Sequence, residues 1–150
     1  MTTTADFDSF YRAEALGQVR RAALLVGSDD AANDIVQEAF ANMYRRWNEI
    51  DDPAPYLNRA VLNGCRDRAR RGQRHLRLVD RLRVTHPLTD EPEIITDLLG
   101  RLPFNQRAAV VLRFYVGYST DEIAAVLGCP RGSVGPWIDR ALDAMRRELP

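Results

Sequence analysis

The residues with the most distinctive chemistry are arginines. From Arg59 to Arg83 the chain sets nine arginines against two acids, Asp67 and Asp80, and none of its 150 residues is a lysine. A guanidinium is a planar fork that meets phosphates and base edges with two parallel hydrogen bonds, which the point charge of lysine cannot do. A solvated helix face is the ordinary meaning of a charge run, but a one-signed, arginine-only run favours a nucleic-acid face. Acid–base catalysis has weaker credentials. Asp34 with Glu38, and Asp139 with Asp143, are carboxylate pairs one helical turn apart, yet neither has a neighbouring histidine or a cleft signal. His75 and His86 belong to no pattern and are expected on the surface. Cys65 and Cys129 lack metal-ligand spacing and read as two reduced thiols. With no glycine-rich phosphate loop either, no enzymatic activity, cofactor or metal is expected.

These side chains need helices to position them. Phe7, Phe10 and Tyr11 begin an apolar pattern that runs through Val19 and Ala22 to Leu25. The turn at 27–30, Gly-Ser-Asp-Asp, offers Ser28 or Asp29 as the cap of a second helix. In that helix Ala32, Ile35, Val36, Ala39, Phe40, Met43 and Trp47 recur at three- and four-residue steps. Asp34, Gln37, Glu38 and Arg45 fall on its other face. Prolines at 53 and 55 interrupt the chain. A third pattern then runs through Tyr56, Leu57, Ala60, Val61 and Gly64, with Arg59, Asn63, Arg66 and Arg70 opposite and Asp67 and Arg71 alongside.

Residues 83–93 hold two prolines and little periodicity, and read as a linker. Beyond it, Ile94, Ile95, Leu98 and Leu99 form a short amphipathic helix ending before Pro103. Ala108, Val111, Leu112 and Tyr115 form another, ending at Gly117. Ser119 with Glu122 is a capping box, Ile123, Val126 and Leu127 follow as an apolar face, and Gly128 suits a left-handed helix end. Ser133 is positioned to cap a last helix whose inner face is Val134, Ile138, Ala141, Leu142, Met145 and Leu149. Helix, short glycine-bearing turn, helix is the helix-turn-helix layout.

Composition agrees. Hydrophobic residues make up 45% and charged residues 28%, which fits a soluble globular chain with modest cores. No apolar run approaches the roughly 20 residues of a membrane span, and the N-terminus lacks the marks of a signal peptide. A cytoplasmic protein is therefore expected. The formal net charge is zero, but residues 1–58 carry ten acids against five arginines. An acidic first part precedes the basic run, and the average conceals both.

Three segments carry a resemblance: residues 34–40 (DIVQEAF), residues 53–71 (PAPYLNRAVLNGCRDRARR), and residues 102–149, which open LPFNQRAAVVLRFYVGYSTDEIAAVLGC. Together they resemble an extracytoplasmic-function sigma factor of bacterial RNA polymerase, over nearly the whole chain and in family order. The arginine-rich, lysine-free composition suggests an actinobacterial type.

The resemblance implies an all-α fold of two small helical domains. Residues 1–82 would be region 2, 83–92 a linker, and 93–150 region 4 with its helix-turn-helix. It implies that Asp34, Gln37 and Glu38 contact core polymerase. It implies that Tyr56, Arg59, Asn63, Arg66, Asp67, Arg70 and Arg71 handle the minus-ten promoter element. Asparagine can both donate to and accept from a base edge, and arginines hold phosphates. Tyr56 and Trp47 are aromatic candidates for stacking on an unpaired base, although Trp47 lies on the apolar stripe. For the minus-thirty-five element the resemblance points to Arg131, Ser133, Gly135, Pro136, Trp137 and Arg140, with Arg146 beyond them.

The last helix departs from the family pattern. Family members usually carry a basic residue at the position of Gly135, a small polar one at Pro136 and an arginine at Trp137. If Ser133 caps the helix, Pro136 falls in the first turn, where a missing N–H costs nothing. The expected partners are core polymerase, promoter DNA and an anti-sigma factor. Two alternatives stand beside this reading: a helix-turn-helix regulator that works without polymerase, and a sigma-like interaction protein whose DNA-reading helix has degenerated.

Overall fold

A computed structural model describes residues 4–72 and 93–149. Seven α-helices make up the fold among the described residues: α1 (Thr4–Val26), α2 (Asp29–Arg45), α3 (Pro53–Gly72), α4 (Glu93–Arg101), α5 (Phe104–Val111), α6 (Thr120–Leu127) and α7 (Arg131–Glu148). The linker expected at 83–92, and with it His75 and His86, lies outside the described residues.

Local chemistry explains most boundaries. Gly27 closes α1 at φ 72°, and the Ser28 hydroxyl accepts from Ala31 N at 3.2 Å to cap α2, with Asp29 and Asp30 in the first turn where the helix dipole favours acids. Pro53 and Pro55 occupy the first turn of α3, where proline is tolerated. After α5 the chain widens into a π-turn, Leu112–Val116, and stops at the left-handed Gly117. The Ser119–Glu122 capping box forms in both directions.

The last helix differs from expectation at its start. It begins at Arg131, with Pro130 as its cap and no side-chain cap bond, so Ser133 is inside the helix. Pro130 already sits at φ −62° and ψ 143°, and its carbonyl accepts from Ser133 N at 3.0 Å. The ring thus sets the helix entry without help from a hydroxyl. One consequence is that Pro136 is the sixth helical residue, beyond the first turn. It forgoes a bond to the Gly132 carbonyl, and the carbonyl of a glycine-flanked, exposed turn can turn to water instead.

Helices α1–α3 form an N-terminal block and α4–α7 a C-terminal block, and both share one continuous apolar core running from Val19 to Ala141. Trp47 is buried and lies against Phe7, their rings near perpendicular at 5.3 Å, so it is a core residue and not an exposed platform. Between the blocks lies Arg107 of α5, only 8% exposed. Its Nε donates to the Leu99 carbonyl at 2.8 Å, its Nη2 to the Leu102 carbonyl at 2.9 Å, and its Nη1 to the Leu25 carbonyl. These oxygens lie at the ends of α4 and α1, which have unpaired carbonyls and partial negative charge. Burial still lowers the pKa of Arg107, and it pushes the Cys65 thiol up to about 12 against the opposing pull of that guanidinium.

Candidate nucleic-acid interface

The exposed side of α3 presents Asn63, Asp67, Arg70 and Arg71. Its opposite side packs through Leu57, Val61, Leu62 and Cys65. Gly64 lets α3 come close to α2, because a Cβ there would meet Ile35 Cγ2 at 2.7 Å. Alongside this contact runs a groove of about 400 Å³. Asp34, Glu38 and Asn42 of α2 line one wall, Asn63, Asp67, Arg68 and Arg71 of α3 the other, with Ile35 and Ala60 between.

The groove joins two sets of residues that lie apart in the sequence. The family resemblance assigns Asp34 and Glu38 to polymerase and Asn63, Asp67 and Arg71 to DNA, and all five border the same depression. Gln37 stands outside it: its Nε2 donates to the Tyr11 hydroxyl of α1 at 2.9 Å. Two lining residues, Asn42 and Arg68, escape the sequence reading. A signal for them is present, since Asn42 follows Asp34 and Glu38 at four-residue steps and Arg68 follows Gly64 likewise.

Three other α3 candidates are engaged. Tyr56 is half-buried against the core. Arg59 Nη2 donates to the Ala125 carbonyl at 3.3 Å, and Arg66 Nη2 to the Leu127 carbonyl at 3.1 Å. The Arg66 guanidinium also lies over the Phe104 ring, 5.8 Å from its centre. Both arginines thus reach across to the C-terminal block.

On α7, Arg131, Gly135, Pro136 and Arg140 are exposed and Ser133 is half-buried. Trp137 is half-buried and packs against the core. Arg131 Nε pairs with Asp121 at 2.6 Å and Arg146 with Asp143 at 3.6 Å. The outward row Gly132, Pro136, Asp139 and Asp143 carries no cation until Arg147 in the last turn.

A family model described as Sigma-70 region 2 matches residues 12–75, and one described as Sigma-70, region 4 matches residues 93–145. The RNA polymerase sigma-E factor of Streptomyces coelicolor is 32% identical over 99% of this chain and 89% of its own length. The ECF RNA polymerase sigma factor SigM of Mycobacterium tuberculosis is 30% identical, over 95% of this chain and 76% of its own. The chain belongs to the extracytoplasmic-function sigma factors. In fold it is also similar to the sigma factor RpoE of Bartonella quintana, solved in complex with the anti-sigma factor NepR: TM-score 0.76 at 21% identity, covering 96% of each chain. The structure of CnrH in complex with the cytosolic domain of CnrY gives a TM-score of 0.73 at 23% identity, over 97% of this chain and 88% of that one. A sigma factor directs RNA polymerase to promoters, and the polymerase makes the RNA. Among the described residues no helix of this sigma factor is long and apolar enough to cross a membrane.

Proposed function

We propose that the groove between α2 and α3 is the working surface of this sigma factor. Asp34, Gln37 and Glu38 bind core polymerase, and Asn63, Asp67, Arg70 and Arg71 engage the minus-ten element beside it. The observation that carries this reading is the juxtaposition of Asp34 and Glu38 with Asn63 and Arg71 along one groove. A factor that melts DNA on the polymerase surface needs its enzyme contact and its strand contact side by side. Asn63 reads a base edge and the arginines hold phosphates. Arg59, Arg66 and Tyr56 extend the same helix. The chain acts in the cytoplasm, with residues 1–82 and 93–150 as its two functional units, and performs no catalysis of its own. An anti-sigma factor is its regulatory partner.

The C-terminal block contributes less promoter recognition than its layout suggests. The outer row of α7 offers glycine, proline and aspartate where DNA phosphates favour cations. Arg131 and Arg140 remain as readers of the minus-thirty-five element.

The test is transcription from a promoter library with purified core polymerase. Protein plus core should give promoter-dependent transcripts, while protein alone should shift no duplex. Alanine at Gln37 and Glu38 together should weaken core binding and lower stability by no more than about 1.5 kcal/mol, the net worth of the Gln37–Tyr11 hydrogen bond lost with it. Specific duplex binding without polymerase would instead support a free-standing regulator.

A further inference from the structure

An ion pair joins the two helices of the helix-turn-helix across their turn. Arg131, the first residue of α7, places Nε 2.6 Å from Oδ1 of Asp121, in the first turn of α6. Arg46–Glu49 and Arg146–Asp143, each between residues three apart, are longer at 3.4 Å and 3.6 Å. The neighbouring acid is engaged within α6, where Glu122 accepts from Ser119 N at 3.0 Å. Asp121 instead reaches across to α7.

Both ends of the pair stand on constrained backbone. The Ser119–Glu122 box fixes the start of α6. The connection to α7 runs through the left-handed Gly128, at φ 67°, and Pro130, whose ring holds φ at −62°. Between them Cys129 N closes α6 on the Ala124 carbonyl at 3.1 Å.

The pair does little for stability, since its side chains are 73% and 74% exposed and exposed ion pairs contribute little to folding. It does more for direction. A guanidinium is a planar fork of five N–H donors. With Nε given to Asp121, the far edge, Nη1 and Nη2, remains as a pair of parallel donors, the match for O6 and N7 of guanine. In a helix-turn-helix the N-terminal residues of the second helix meet base edges. Arg131 stands at that end, and the Cβ positions of Gly132 and Gly135 face open space.

We propose that Asp121 is a positioning residue for promoter reading: it holds Arg131 by Nε so that the Nη1–Nη2 edge selects a guanine in the minus-thirty-five element. This rests on the reading of α7 as the minus-thirty-five helix. Pairing with Arg131 also lets an acid stand at the start of α6, because the first helix of the motif crosses the DNA backbone and the pair carries no net charge. An exposed arginine loses rotamer freedom when it binds, and one already held loses less. The discrimination thus comes from preorganisation, on a helix where Gly135 and Trp137 supply no cation.

The experiment charges core polymerase with the full chain and selects promoters from a library randomised at the minus-thirty-five positions. The natural protein should favour guanine at one position by roughly ten-fold, within the range of a bidentate contact. Asp121→Ala should cut that preference several-fold, with affinity averaged over the library unchanged or higher. Asp121→Asn keeps an oxygen for Nε and should retain most of the preference. Arg131→Lys keeps the charge without the fork and should lose it. Equal loss in Asp121→Ala and Asp121→Asn would overturn the proposal, because Asp121 would then act through its charge. So would a guanine preference untouched by Asp121→Ala, or a uniform loss of affinity across sequences in Arg131→Lys, the mark of a phosphate contact. A library left flat by the natural protein would overturn the reading of α7 as a promoter helix, and the proposal with it, whereas a selective natural protein matched by Asp121→Ala overturns the proposal alone.

Discussion

Gly64 and Ile35 meet so closely that a methyl group on the glycine would lie 2.7 Å from Cγ2 of the isoleucine. That distance is well inside van der Waals contact, and Ile35 is branched at Cβ and stiff. The α2–α3 spacing, and with it the width of the groove, is therefore set by the absence of a side chain at position 64.

Gly64→Ala should improve helix propensity on α3 and still lose stability. Overpacking a filled contact typically costs about 1–3 kcal/mol, more than the roughly 1 kcal/mol by which alanine exceeds glycine in a helix. Denaturant melts should show the net loss. Adding Ile35→Ala should recover much of it, because the second change removes the methyl that the new Cβ strikes.

Arg107→Met should be among the most damaging single substitutions. Methionine roughly matches the arginine stem but leaves the carbonyls of Leu25 and Leu102 without the guanidinium, whereas Leu99 keeps a second donor in Leu102 N at 3.1 Å. A buried group left unsatisfied costs about 1–3 kcal/mol, so two such groups put the total at about 2–6 kcal/mol. Urea unfolding measures it directly. A melt indistinguishable from the natural protein would mean that water replaces the guanidinium at no cost.

Much of this architecture is legible in the sequence, for identifiable reasons. The Ser119–Glu122 box, the Ser28 cap and the glycine stops at 117 and 128 act within one turn, so spacing alone reveals them. The apolar stripe of α2, continued into the 3-10 turn Trp47–Glu49, places Trp47 in the core and turns Asp34, Gln37 and Glu38 outward. The start of α7 is misplaced by sequence reading because a serine cap and a proline entry compete, and Pro130 prevails by fixing its own φ. Arg107 gives no sequence signal at all. A lone arginine in the segment Asn-Gln-Arg-Ala-Ala looks like an ordinary exposed charge until two helix ends, 82 and 8 residues away in sequence, converge on it. The pairing of Arg59 and Arg66 with α6 is hidden for the same reason, since backbone acceptors leave no trace in side-chain patterns.

Cys65 should give the fold a measurable alkaline limit. Its pKa is raised from an ordinary 9.0 to about 12, chiefly by burial, with Arg107 opposing. The unfolded thiol therefore loses its proton first, and the unfolded state holds fewer protons between those values. Stability from this group is full below pH 9 and declines as pH rises towards 12, at about 1.4 kcal/mol per pH unit at the steepest. Cys65→Ala should be less stable at pH 7 but show a shallower decline over that window. Parallel curves for the two proteins would assign the alkaline loss to other groups, Tyr118 among them, whose pKa burial also raises.

On α7, restoring charge should restore reading. In a holoenzyme promoter assay, Gly135→Lys with Trp137→Arg should bind more tightly, with a salt dependence steeper by about 0.9 in log–log slope for each additional phosphate neutralised. The Cβ added at Gly135 meets open space, whereas Trp137 leaves the core, so a loss of about 1–3 kcal/mol in α7 docking accompanies the tighter binding. Sharp minus-thirty-five discrimination by the natural protein, lost in the variant, would show instead that the uncharged helix is a specialised reader.

The most direct test of the central claim is selection from a randomised minus-ten library by core polymerase charged with this sigma factor, run beside the Asn63→Ala variant. The natural protein should select a defined minus-ten sequence. The variant should show relaxed preference at one or two adjacent bases, with polymerase affinity intact. Identical base preference in the two proteins would contradict it, because the groove between α2 and α3 would then hold polymerase or DNA backbone without reading sequence.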